Sequence, residues 1–154
     1  MRTWTDRILE ALEGPMDMKR LMTGAVVGGI VMLGLGYLIW EVLFASYFAA
    51  WDNENARIWW AAGAGSLVLA GLLTMWLDKS GASDWMAAAK SGAVLGFMVW
   101  LGINMLFHSW DGGETLMLHL TDSVLEAVRW GVTGAAIAMV GGGGAAAAAP
   151  SSDY

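Results

Sequence analysis

Two stretches of twenty residues, Leu21 to Trp40 and Ile58 to Leu77, contain no charged side chain. A helix of that length covers about 30 Å, the thickness of the hydrocarbon core of a bilayer. Backbone polar groups in that core must be satisfied within the segment itself, so such runs leave little choice but a transmembrane helix. Two further segments, Trp85 to Phe107 and Thr115 to Val140, have similar length with few charges, and the four runs predict four membrane spans. With 154 residues, 57% hydrophobic and only 14% charged, the chain has room for one membrane domain and no second folded unit. The expected fold is all-α: an up-down bundle of four transmembrane helices, preceded by a short N-terminal amphipathic helix.

That leading helix occupies residues 1–15. Trp4, Ile8, Leu9 and Leu12 share one face, and Gly14-Pro15 ends it. Such a helix lies in the membrane interface or docks on a partner protein. The membrane domain extends over 16–141, and the tail 142–154 (GGGAAAAAPSSDY) reads as a flexible, low-complexity tether.

In the first span Gly24-x-x-x-Gly28, with Gly36 further along, is the small-residue pattern of closely packed membrane helices. Gly63, Gly65, Ser66 and Gly71 suggest the same for the second. The first apolar pattern continues past Glu41 to Trp51, too long for one span. The helix must therefore tilt, leave the bilayer, or break near Glu41. Tyr37, Trp40, Tyr47 and Trp51 gather there as an aromatic belt. Trp100 and Trp130 fall nearer the membrane centre and are expected to fill a core or a subunit interface.

The fourth span carries the chemistry. Thr115, His119, Asp122, Glu126, Arg129 and Thr133 recur at intervals of three and four, placing all six within an arc of about 80° on a helix. Ionisable groups inside a membrane are costly and normally face a bundle interior or a wet cavity. Topology brings Glu41, Asn104 and His108 to a similar depth, so an intramembrane polar network of Glu41, Asn104, His108, His119, Asp122, Glu126 and Arg129 is expected. Three readings compete. A buried network of ion pairs and hydrogen bonds would hold the bundle or a subunit contact together. A wet path would pass protons or cations along two carboxylates one turn apart. A weak metal site would use the histidines and carboxylates, although no strict ligand motif such as H-E-x-x-H is present.

Neither a nucleophile elbow, nor a phosphate loop, nor a dinucleotide fingerprint occurs, and cysteine is absent. No enzymatic activity, catalytic residue, metal or cofactor is expected. The net charge of -6 argues against nucleic acid as a partner. The expected partners are the lipid bilayer and other membrane subunits, or further copies of the chain. Arg2, Arg7, Lys19, Arg20, Lys79 and Lys90 fall on one side of the membrane and only Arg57 on the other. This bias predicts a multi-pass protein of the bacterial inner membrane with both termini in the cytoplasm.

Three strings carry a resemblance: GLGYLIWEVLFASYFAAW ending the first span, GAVLGFMVWLGINMLF in the third, and LMLHLTDSVLEAVRWGVTGAAIAMV in the last. Over about residues 21–141 the chain resembles the small bacterial four-span membrane proteins grouped as domain of unknown function 1761. The resemblance implies a four-span bundle, no established activity, and no catalytic residues to carry over. Together these readings favour a structural or accessory subunit, with a small proton or cation transporter as the alternative.

Overall fold

The computed structural model describes residues 17–49, 58–82, 84–110 and 115–141, and the leading amphipathic segment and the tail fall outside them. Among these residues the only regular structure is helical: α1 (Met18–Gly36), α2 (Trp59–Ser80), α3 (Trp85–His108) and α4 (Leu116–Gly141). Each is long and apolar enough to cross a membrane, so the chain is an all-α, multi-pass membrane protein built as a four-helix bundle.

Local chemistry fixes where the helices start and stop. Asp17 caps α1 by accepting the Lys19 amide at 2.9 Å, and Asp84 caps α3 by accepting the Met86 and Ala87 amides at 2.8 Å. Gly81 ends α2 at φ 67°, a left-handed conformation open to glycine without a Cβ penalty. Of the three ways to accommodate the long first hydrophobic stretch, the chain takes the break. Tyr37–Leu43 widens into a π-helix, and the last bond runs from the Phe44 amide to the Ile39 carbonyl at 2.9 Å.

Packing divides the bundle into two hairpins. In the first, the α1 glycines face α2: Gly24 lies against Thr74, Gly28 against Ala70, and Gly29 against Leu67. Gly28 also touches Ile137 of α4, while Gly36 faces the Arg129 guanidinium. In the second hairpin the backbones come closer still. A Cβ on Gly92 would lie 2.6 Å from the Trp130 carbonyl oxygen, and one on Gly134 would lie 2.6 Å from that of Ala88. These α3 and α4 glycines meet backbone, which cannot move aside as the side chains opposite the α1 glycines can. By contrast Gly63 and Gly65 meet no neighbouring atom within 4 Å, so the expectation that they pack α2 against another helix is corrected. Gly71 makes ordinary contact with Ala25.

α1 and α4 join the hairpins, and α2 and α3 touch mainly near their connecting turn, where the Trp76 indole donates to Ser91 at 2.8 Å. Met32, Ala70, Leu73, Leu77, Ala88, Trp130 and Ile137 form the apolar core of that half. Toward the other end α2 and α3 diverge. The outer surface is greasy, with Ile30, Val68, Met98 and Met139 all exposed, and Lys90 also lies outside the core.

Candidate functional site: a hydrogen-bonded cluster beneath a lateral crevice

The polar stripe of α4 faces inward because both its neighbours offer polar or small groups there. His119, Asp122, Ser123, Glu126 and Thr133 are all buried. Asn104 of α3, also buried, is the hub of the outer part. The two hydrogens of its Nδ2 are shared among Asp122 Oδ2 at 2.9 Å, Ser123 Oγ at 3.0 Å and the His119 carbonyl at 3.1 Å. Its Oδ1 lies 3.2 Å from His119 Nδ1. Asp122 receives a second donor from the π-helical continuation of α1, the Trp40 indole at 2.9 Å to Oδ1. A single carboxylate therefore ties α1, α3 and α4 together.

One turn deeper, Glu126 forms the ionic part of the cluster. Its Oε1 accepts Arg129 Nη1 at 2.6 Å, and its Oε2 accepts the Trp130 indole at 2.9 Å. Arg129 Nε reaches across to the Met32 carbonyl of α1 at 2.9 Å, and the guanidinium carbon sits 5.4 Å from the Trp40 ring centroid. The pair Glu126–Arg129 is bonded on both partners and neither faces lipid alone, which is the condition for tolerating charge in a bilayer.

The structure thus brings Asn104, His119, Asp122, Glu126 and Arg129 into one cluster. His108 meets His119 edge to face at 5.6 Å between ring centroids, at the outer rim. Its Nδ1 is buried and accepts or donates no hydrogen bond among the described residues. Glu41 lies on the exposed side of the π-helical stretch, outside the buried cluster. Among the described residues no group of three histidine or carboxylate side chains converges as a metal centre. Four contributors were not singled out as site residues from the sequence: Trp40, Ser123, Ser66 and Trp100. Ser123 had a detectable signal, since it stands four residues after His119 on the same helix. Trp40 looked like one more interfacial anchor.

A cavity of about 310 Å³ opens beside the cluster. Its floor is Asp122, Glu126 and Arg129 of α4, and its walls include Trp40 of the π-helical stretch, Trp59 and Ser66 of α2, and Trp100 of α3. The lining includes the exposed Gly65 of α2, and because α2 and α3 barely touch, the mouth falls between them. Beneath it the Trp130 side chain, fully buried, closes the way to the apolar core. The cavity is a lateral pocket in a bundle, with an aromatic lining and a few convergent polar groups.

The fold and cluster define a small polytopic membrane protein with a closed intramembrane polar centre. Comparison with family models, curated proteins and solved structures finds no match to the chain.

Proposed function

We propose that the protein is a structural or accessory subunit of a membrane assembly, with the α4 stripe serving as an internal lock. The observation that carries this reading is the closure of the cluster within one chain. Both oxygens of Asp122 and both of Glu126 receive protein donors, and the cluster abuts an apolar plug of Trp130, Leu73 and Met32. A conducting path would instead need polar or hydrated groups through the other half of the bundle. Because the lock is intramolecular, contact with other subunits or further copies would use the outer helix faces and the appendages.

A second reading, a small proton or cation transporter, draws on the charge count. The cluster holds two carboxylates and one guanidinium, and in low dielectric that excess favours binding of a proton or a cation. We also propose a location in the bacterial inner membrane with both termini cytoplasmic, from the six-to-one distribution of Lys and Arg, and kinship with the small four-span family of domain of unknown function 1761, from the three helical strings.

Native mass spectrometry of gently solubilised membranes tests the first reading. An accessory subunit appears in a complex of defined stoichiometry, and liposomes containing the protein alone hold a pH gradient. A monomer that dissipates the gradient, with Asp122→Asn abolishing the flux while remaining folded, would overturn it.

A further inference from the structure

We propose that the crevice between α2 and α3 binds the head of a neutral, lipid-soluble ring carbonyl compound of the quinone class. Three features point there. The first is unused donor capacity. Ser66 is 3% exposed and lines the crevice, yet it forms no hydrogen bond among the described residues. Other buried hydroxyls of the bundle bond back to their own helix: Thr74 to the Ala70 carbonyl, Ser123 to that of His119, Thr133 to that of Arg129. Ser66 thus brings to the crevice lining a hydroxyl that a ligand acceptor would satisfy. Arg129 commits Nε and Nη1 to protein acceptors, while Nη2 lies 3.5 Å from the position of a Cβ on Gly36, at the crevice wall.

The second feature is charge. The floor already carries two carboxylates against one guanidinium, so a further anion is repelled. All four carboxylate oxygens already accept from indole, amide or guanidinium donors, so a cation would compete with protein donors at every oxygen. The donors left for a ligand beside that floor are the Ser66 hydroxyl and Arg129 Nη2, and the group complementary to them is an uncharged acceptor such as a ring carbonyl.

The third feature is shape and access. Indoles of Trp40, Trp59 and Trp100 line the crevice, surfaces suited to a flat π-system. About 310 Å³ accommodates one substituted ring with the start of a chain. The mouth at Gly65 opens outward between two membrane helices, so the head enters from the bilayer and its apolar tail stays among the acyl chains.

The experiment uses the full chain in nanodiscs, titrated with a decyl-substituted benzoquinone and followed by quenching of tryptophan emission. Wild type should show a saturable component above the linear partitioning background. Ser66→Ala, which removes no protein hydrogen bond, should weaken that component about five-fold, the loss of one neutral hydrogen bond. Ala62→Phe, which fills the crevice, should abolish it. Quenching that never saturates, or that saturates equally in wild type and Ser66→Ala, overturns the proposal. So does retention of a phospholipid that the quinone cannot displace, read by native mass spectrometry, because the acceptor would then be a lipid ester. The measurement is made on the isolated protein, so its outcome is independent of whether the chain serves as an accessory subunit.

Discussion

Removing Arg129 alone should be far more damaging than removing it together with its partner. In Arg129→Met the Glu126 carboxylate stays 2% exposed, holds one donor from Trp130, and loses the guanidinium that stood 2.6 Å from Oε1. Breaking a buried ion pair on one side costs about 3–5 kcal/mol, because the surviving charge is left uncompensated. The lost bond to the Met32 carbonyl leaves no buried charge behind, since that oxygen sits within a helix, and its loss acts mainly on how the hairpins are held together. For a chain of this size a loss of that order lowers the melting temperature by roughly 10 °C. The double variant Glu126→Gln, Arg129→Met keeps an acceptor for the Trp130 indole and buries no charge. It should recover more than half of the loss. Thermal unfolding in one mild detergent, followed by circular dichroism, reads all three proteins. If Arg129→Met melts with wild type, or the double variant melts as low as the single, the closed ionic cluster is not what stabilises this part of the bundle.

Other outcomes follow from the same geometry. Gly92→Ala drives a methyl against the Trp130 carbonyl and should cost about 1–3 kcal/mol, whereas Gly63→Ala meets nothing and should be neutral or stabilising by up to about 1 kcal/mol; melting temperatures of the two variants in detergent check the order. Asn104→Leu removes the amide shared by Asp122, Ser123 and the His119 carbonyl while Asp122 keeps the Trp40 indole, for an expected loss of about 1–3 kcal/mol, smaller than that of Arg129→Met. Since the chain lacks cysteine, single cysteines at Asp17 and Trp110 report orientation cleanly. A membrane-impermeant thiol reagent added outside intact cells should label the second and not the first.

The four spans were legible because twenty uncharged residues in a row admit few alternatives, and the inward face of α4 was legible because a charged stripe cannot face acyl chains. The glycine pattern was only half legible. Gly24 and Gly28 follow a spacing that announces close approach, but the backbone contacts at Gly92 and Gly134 depend on which face of α3 meets α4. The opposite error arose at Gly63 and Gly65, where small residues on α2 border a gap. Trp40 was hidden for another reason. An indole at a helix end serves a lipid interface and a buried carboxylate equally well, and only the placement of Asp122 on a different helix decides between them. Ser66 was unreadable for the same cause, because a hydroxyl's missing partner is visible only in three dimensions.

The two halves of α4 hold the bundle by different physics, and this asymmetry governs how it can deform. From Trp130 onward, Gly131, Gly134 and Ala135 let backbones approach, and the contact is steric. Before Trp130 the crevice keeps α2 away from α3, so the link between hairpins rests on hydrogen bonds: Trp40 to Asp122, Arg129 to the Met32 carbonyl, and Tyr47 to Thr121 and the Met117 carbonyl nearer the helix end. Weakening those bonds should not separate the hairpins uniformly. It should let them pivot about the packed half and widen the crevice at its mouth. Spin labels on Trp60→Cys and Trp110→Cys, both highly exposed at the diverging ends, report the mouth. A second pair on Lys79→Cys and Met86→Cys reports the turn. Arg129→Met should lengthen or broaden the first distance and leave the second unchanged. Equal change in both pairs would mean that the two halves unfold together, and an unchanged mouth would mean that steric packing alone fixes the hairpins.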